Sequence, residues 1–235
     1  MSAWGRLLTA LFHCRCRLCR ARVDDALRGP LCQACESALP ALAGRPCPRC
    51  GLPLRLGQAC KDCRRLGPAF SAVVAGAPYR GPWRDLIKAY KFQGHRSLRR
   101  ALGRRLLAAC QDARWPLQAQ AVVPVPCGRA RLALRGYDPA LDLARSLAQG
   151  LGLDCQPGLL IRRRAGRRQS RLSRKARLSA PGLAFAARLP EPLRGARLLL
   201  VDDILTTGAT ADACSRALLE AGAGSVRVAV LARSL

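Results

Sequence analysis

The chain has 235 residues, of which 50% are hydrophobic, and its 41 lysines and arginines against 14 acidic residues give a formal net charge of +27. This length accommodates one sizeable core with a small appended module, and the apolar content excludes a chain that is disordered by composition. The positive charge favours polyanionic partners such as nucleic acids and nucleotides. No apolar run approaches the roughly 18–20 residues of a membrane span, so we expect no transmembrane segment.

The first stretch of the chain, MSAWGRLLTALFHC, predicts a short amphipathic helix. Trp4, Leu7, Leu8 and Leu11 recur at helical spacing. A single arginine before a short apolar patch does not match a secretory signal. We therefore expect a cytoplasmic protein in a reducing environment.

Four C-x-x-C pairs within residues 16–63 predict a zinc module. The pairs are Cys16 with Cys19, Cys32 with Cys35, Cys47 with Cys50, and Cys60 with Cys63. Each pair places two thiolates on one side of a tight turn, and two such turns complete the tetrahedral four-sulfur shell that Zn²⁺ prefers. We expect one or two structural zinc ions, with successive pairs sharing an ion in preference to a cross-braced arrangement. Cys14 lies beside the first pair and is an alternative to Cys16.

A change of composition near residues 64–70 predicts a boundary between a zinc-ribbon module at residues 1–66 and a larger domain at residues 67–235. In the larger domain, strands and helices are predicted to alternate. The predicted strands are residues 71–79, 121–126, 196–203 and 225–234, and the predicted helices are residues 83–92, 97–113, 138–152 and 207–224. This alternation indicates an α/β fold with a mostly parallel sheet covered on both faces. The ligand site of such a sheet lies at the carboxyl ends of its strands.

The stretch LLLVDDILTTGAT, residues 198–210, places polar groups at one such strand end. A helix that begins inside TTGAT presents free backbone N–H groups and a positive dipole end to an anion. Gly208 permits close approach of a phosphate, and the hydroxyls of Thr206, Thr207 and Thr210 can donate to it. Asp202 and Asp203 can accept from the hydroxyls of a ribose, so the stretch indicates a site for a ribose 5-phosphate. The plain alternative is a turn followed by a capped helix, which explains one carboxylate but not two.

The same stretch resembles the phosphoribosyl-diphosphate (PRPP) binding motif of type I phosphoribosyltransferases. The wider order of motifs, from the cysteine pairs through YKFQGH, VVPVP, RGYDPA and VDDILTTGAT to a closing LAR, is similar to that of ComF family proteins. The resemblance implies that residues 206–210, including Ala209, hold the 5-phosphate of PRPP, that Asp202 and Asp203 hold its ribose, and that Mg²⁺ is bound largely by PRPP itself. It also implies a role for the protein in natural transformation, with single-stranded DNA and other competence proteins as partners.

The resemblance further implies contacts on the pyrophosphate side of the site. Arg135 and Gly136 would lie near the pyrophosphate loop, and Arg164 and Gln169 would belong to a flexible loop over residues 162–180 that closes on substrate. The family usually has R-G-F-N where this chain has Tyr137 and Asp138 after Arg135 and Gly136. Whether catalysis is retained therefore stays open, and no catalytic residue is assigned.

Three functions remain compatible with the sequence. The first is a Mg-dependent PRPP-binding protein of the ComF type that acts in DNA uptake. The second is a metabolic phosphoribosyltransferase with an unknown acceptor, and the third is a non-catalytic nucleic-acid-binding protein that uses Tyr79, Trp83, Tyr90 and Phe92 as stacking platforms. Because the chain ends soon after its last predicted strand, we expect the zinc module to cover the site and to select an acceptor.

Overall fold

A computed structural model of the chain describes residues 14–23, 29–42, 44–54, 58–113, 118–163 and 185–234. The predicted helix around Trp4 to Leu11 lies outside these residues. Within the described part of the chain, no helix is both long enough and apolar enough to cross a membrane.

The described chain contains seven α-helices and nine β-strands. In chain order they are α1 (Gln33–Ala38), β1 (Arg45–Pro46), β2 (Pro53–Leu54), α2 (Lys61–Leu66), β3 (Ala72–Pro78), α3 (Gly81–Phe92), α4 (Arg99–Gln111), β4 (Ala121–Pro124), α5 (Arg129–Arg135), α6 (Pro139–Leu151), β5 (Asp154–Cys155), β6 (Leu160–Arg162), β7 (Phe185–Ala187), β8 (Arg197–Leu205), α7 (Ala209–Glu220) and β9 (Ser225–Arg233). Short 3₁₀ turns at Arg96–Leu98 and Glu191–Leu193 complete the pattern.

The central sheet has five strands in the order β3-β9-β8-β4-β5, and every neighbouring pair in it is parallel. Alternate residues of β8 belong to different cores: Leu199 and Val201 pack in one, and Leu198 and Leu200 in the other. Helices α3, α4 and α6 supply residues to the first core, and α7 with the β6–β7 hairpin supplies the second. The predicted α/β fold with a mostly parallel sheet covered on both faces is therefore confirmed.

The cysteine-rich segment forms two small units that contact different parts of the larger domain. The first unit contributes Cys16, Val23 and Leu31 to the core that α3 and α4 share. It is also joined to these helices by the Trp83 indole, which donates to the Pro40 carbonyl at 2.8 Å, and by an Arg104–Glu36 ion pair of 2.9 Å. The second unit is built on the antiparallel β1–β2 hairpin and contacts the start of β3, where the Val73 N–H donates to the Pro48 carbonyl at 3.0 Å.

Several elements differ from the sequence prediction. Strand β8 continues to Leu205, two residues beyond the predicted end at Asp203. Helix α5 was not predicted, because it has no buried residue and therefore no apolar stripe for a periodicity to reveal. The strands β5, β6 and β7 were also missed, since two or three residues are too few to display an alternation.

Candidate functional site

The phosphate loop, residues 206–210, connects the carboxyl end of β8 to α7. Helix α7 begins at Ala209, inside TTGAT as the sequence predicts, and its N-cap residue Gly208 has φ of 84°. An added Cβ at Gly208 would meet only the Phe70 ring, at 3.8 Å, so the left-handed backbone rather than lack of space favours glycine here.

The phosphate loop also presents hydrogen-bond donors. The Ala209 N–H donates to the Thr207 hydroxyl at 3.3 Å, while the following amides of the first helical turn have no acceptor within the helix. Thr206, Thr207 and Thr210 are exposed, so their hydroxyls are accessible to an anion.

Two carboxylates precede this loop in β8. Asp203 is buried and forms an ion pair of 2.7 Å with Lys91 at the end of α3. The Asp202 carboxylate accepts from the Asp203 N–H at 2.8 Å. The structure thus brings the predicted sugar-binding aspartates and the predicted phosphate loop to the same edge of the sheet.

The pKa of Asp202 differs from that of an ordinary carboxyl. Burial, reinforced by the neighbouring Asp203 carboxylate, raises the pKa of Asp202 to about 8, against the opposing effects of the Asp203 N–H and the Lys91 ammonium. The ligand-free site therefore favours a proton on Asp202 at neutral pH. A hydroxyl-rich ligand or a cation that interacts with the ionised carboxylate would have to displace that proton.

Asp138, found where the resemblance to ComF family proteins implies an asparagine, fixes the loop after β4. One of its carboxylate oxygens accepts from the Ala140 and Leu141 N–H groups at 3.0 and 3.3 Å and so caps α6. Its other oxygen accepts from the Cys127 N–H at 3.2 Å. Each of these contacts needs only an acceptor, and burial raises the pKa of Asp138. An asparagine at this position would offer only one accepting oxygen. Aspartate therefore ties the loop to α6 more firmly than asparagine would.

Arg135 and Gly136 lie at the end of α5, with the Arg135 guanidinium 4.7 Å from the centre of the Phe92 ring. Phe92 is 63% exposed, which suits a stacking platform. Trp83 and Tyr90, by contrast, are buried in the core, so the prediction that they stack on bases was wrong. Arg164 and Gln169, with most of the predicted flexible loop, lie outside the described residues.

The eight cysteines of the four pairs form two groups of four. Cys16, Cys19, Cys32 and Cys35 make the first cluster, and Cys47, Cys50, Cys60 and Cys63 make the second, with all four sulfur atoms of each cluster within 4.8 Å of one another. The Sγ–Sγ distances of 3.6 Å between Cys19 and Cys32, 3.8 Å between Cys47 and Cys63 and 3.5 Å between Cys50 and Cys60 match the edge of about 3.8 Å of a tetrahedron with Zn–S bonds near 2.3 Å. The donors and their spacing therefore fit one structural Zn²⁺ per cluster, shared by successive pairs.

The second cluster lies beside the phosphate loop. A cavity of about 280 Å³ separates them, with Cys50 and Cys63 on one side and Thr207, Gly208 and Ala209 on the other. Arg233 at the end of β9 spans the two sides, since its guanidinium donates to the Cys50 carbonyl at 3.0 Å and to the Leu205 carbonyl at 2.9 Å. Sequence reasoning identified neither Arg233 nor Lys91 as part of the site. The motifs LAR and YKFQGH contained them, but which residues they face depends on the tertiary fold.

Comparisons with known proteins identify the class. The phosphoribosyl transferase domain family matches residues 135–235, and the double zinc ribbon domain family matches residues 7–64. Together with the parallel sheet and the two four-cysteine clusters, these matches define a phosphoribosyltransferase-type domain joined to a zinc ribbon.

Relatives over the whole length identify the family. The chain is 31% identical over 230 residues to competence protein F of Haemophilus influenzae, covering 95% of this chain and 98% of that protein. It is 33% identical over 224 residues to the DNA utilization protein YhgH of Escherichia coli strain K12, covering 94% and 97%. A solved glutamine PRPP amidotransferase from B. subtilis shares 27% identity, covering 57% of this chain and 26% of that chain, with a TM-score of 0.39. The chain belongs to the family of competence protein F and YhgH, the ComF family.

Proposed function

We propose that the protein binds PRPP together with Mg²⁺ at the carboxyl edge of its sheet, and acts in the handling of DNA during uptake. The observation that carries the proposal is the placement of Asp202 and Asp203 directly before a helix N-terminus whose loop exposes three threonine hydroxyls. An anion cradle next to two carboxylates suits a phosphorylated sugar with free hydroxyls. The carboxylate oxygens also suit a hard cation, although most ligands of the Mg²⁺ would come from PRPP.

The position of the zinc ribbon supports its proposed role as a separate module that borders the site. The predicted boundary between residues 66 and 67 lies at the end of α2, where the connection to β3 begins and Gly67 has a left-handed backbone. The second cluster faces the phosphate loop across the cavity, so a bound acceptor would contact ribbon residues. Thiolate chemistry in both clusters accords with a reducing cytoplasm.

Calorimetric titration of PRPP in the presence of Mg²⁺ tests the proposal. We expect the wild type to bind and the Asp202→Ala, Asp203→Ala double variant to lose binding, because both acceptors of the ribose hydroxyls are removed. Lys88→Ala, which removes a cation from the same helix as Lys91 without touching either aspartate, serves as the control and should bind as the wild type does. If the wild type fails to bind PRPP while melting cooperatively, the sugar-phosphate site is refuted.

Single-stranded DNA is a second candidate ligand, favoured by an exposed surface beside the same edge. Phe92 is 63% exposed beneath the Arg135 guanidinium, and α5 adds Arg129 and Arg131 without burying any residue. Exposed rings on which bases stack, flanked by cations that follow the backbone, are typical of single-strand binding.

Phe92→Ala is expected to weaken binding of an oligothymidylate by roughly 5- to 150-fold, the range for loss of one base-stacking contact. Leu134→Ala is a matched control, since Leu134 is an exposed apolar residue of α5 with 88% accessibility. Fluorescence anisotropy at low and moderate salt should also show a steep loss of affinity with salt. Equal affinity of both variants, or an affinity indifferent to salt, would exclude this surface.

A further inference from the structure

Arg233 holds together three separate segments of the backbone. Its side chain is buried, at 4% exposure. The guanidinium donates to the carbonyls of Cys50 at 3.0 Å, Leu205 at 2.9 Å and Ser234 at 2.8 Å, and also to that of Thr206. One cation therefore joins the second zinc cluster, the end of β8 and the end of β9.

These contacts determine which way the phosphate loop faces. A trans peptide is planar, with its C=O and the following N–H on opposite sides. When Arg233 holds the Leu205 and Thr206 carbonyls, the N–H groups of Thr206 and Thr207 are turned away from it. Backbone N–H groups that point outward from such a loop are the donors that an anion needs.

The charge of Arg233 connects it to the metal cluster. Among the described residues, no carboxylate lies within ion-pair distance of its guanidinium. Its carbonyl partner Cys50 is a ligand of the second cluster, and four thiolates around one Zn²⁺ carry a formal net charge of −2. A loaded cluster therefore supplies a fixed carbonyl to the buried cation and, together with the more distant Asp62 carboxylate, a compensating charge.

We propose that Arg233 is a positioning residue that couples zinc loading of the second cluster to the shape of the phosphate loop. The ligand side of this inference rests on the proposed PRPP site. When the second cluster loses its metal, the turn that carries Cys50 is no longer fixed and its carbonyl is released from the guanidinium. The Leu205 and Thr206 carbonyls are then no longer held, and the loop loses its arrangement for an anion. In the part of the chain that the structure describes, the first cluster, which packs on α3 and α4, has no such connection.

Arg233→Lys and Arg49→Lys form the first matched pair. Arg49 also links the second ribbon to the larger domain, through a 2.7 Å hydrogen bond to the Pro68 carbonyl, which lies outside the phosphate loop. Lysine keeps the charge and loses the fork of donors. We expect Arg233→Lys to retain its zinc, to weaken PRPP binding at least about tenfold, and to speed amide hydrogen exchange at residues 205–210. Arg49→Lys should match the wild type in all three.

Cys60→Ser and Cys19→Ser form the second pair, one from each cluster, with zinc content measured for both. We expect faster exchange at residues 205–210 and weaker PRPP binding in Cys60→Ser only, with exchange in β3 unchanged as the check that the sheet remains folded. The coupling would be overturned if amide exchange at residues 205–210 stayed at the wild-type rate in both Arg233→Lys and Cys60→Ser. It would also be overturned if the two variants of either pair changed that exchange equally. If the wild type does not bind PRPP at all, the proposed function fails, and hydrogen exchange alone still decides whether the coupling exists.

Discussion

Asp202→Asn is expected to weaken PRPP binding and, at the same time, to stabilise the ligand-free protein at alkaline pH. Burial and the Asp203 carboxylate raise the pKa of Asp202 to about 8. Asparagine keeps an oxygen that can accept from the Asp203 N–H but removes the charge. A charged acceptor of a ribose hydroxyl is worth about 1.5–3 kcal/mol, which corresponds to a loss of roughly 10- to 150-fold in PRPP affinity.

The sign of the stability effect follows from proton binding. Between a pKa of about 4 in the unfolded chain and the raised pKa of the folded protein, the native state holds a proton that the unfolded state has released. The free energy of unfolding of the wild type therefore falls as pH rises through this window, and the loss is complete above about pH 8. The variant lacks this slope, so its advantage in Tm should grow from pH 6 to pH 9. Each kcal/mol of relieved penalty corresponds to about 2–4 °C.

Asp203→Asn is the matched control, because it alters the adjacent carboxylate and should act in the opposite direction on stability. It breaks the 2.7 Å ion pair and leaves the largely buried Lys91 ammonium without that partner. Thermal unfolding at pH 6, 7.5 and 9, without PRPP or Mg²⁺, gives the comparison. A Tm for Asp202→Asn that follows the wild type at every pH would show that Asp202 is already ionised in the free protein.

The parts of the site that the sequence could predict are those that a local pattern encodes. Cysteine spacing predicted the two clusters, because a C-x-x-C turn fixes its own geometry. A buried strand followed by TTGAT predicted a helix N-terminus at a sheet edge. The Lys91–Asp203 ion pair and the contacts of Arg233 could not be predicted in this way, since each joins residues that only the assembled sheet brings together.

The burial of Trp83 and Tyr90 could have been predicted and was not. Trp83, Leu86, Ile87 and Tyr90 recur at steps of three and four residues, and all four are buried on one face of α3. That spacing indicates a core face, whereas Phe92 falls off it and is exposed. An aromatic residue on the apolar face of a helix is therefore not a candidate stacking platform. On this helix, Phe92 is the candidate that remains.

The two zinc clusters are expected to differ in what their loss does to the rest of the molecule. Cys16, with Val23 and Leu31 of the same unit, is buried in the core that includes α3 and α4. No residue of the second unit whose side chain the structure describes, in residues 44–54 and 58–65, belongs to either core. Loss of the first cluster should therefore lower the thermal stability of the main domain without altering the native phosphate loop, while loss of the second should remain local.

Cys16→Ser is expected to lower the Tm of the whole protein. Releasing the first unit exposes Val23 and Leu31, at a cost of about 1.5–3 kcal/mol for each side chain. A loss of that size corresponds to a fall of roughly 6–24 °C for a chain of this length. Cys155→Ser, at a cysteine outside both clusters, is the control and should keep the zinc content and nearly the wild-type Tm.

Cys47→Ser is expected to leave the main thermal transition close to that of the wild type while its own unit unfolds. Because the described residues of that unit form no apolar core of their own, zinc supplies most of its folding free energy. Trypsin should then cleave at Arg49, Lys61, Arg64 and Arg65 at least about tenfold faster than in the wild type, because the opened unit is cleaved in proportion to its population. Equal falls in Tm for Cys16→Ser and Cys47→Ser would show that the second ribbon also supports the main core. The proposed coupling through Arg233 would then reflect a general loss of stability instead of a local contact with the phosphate loop.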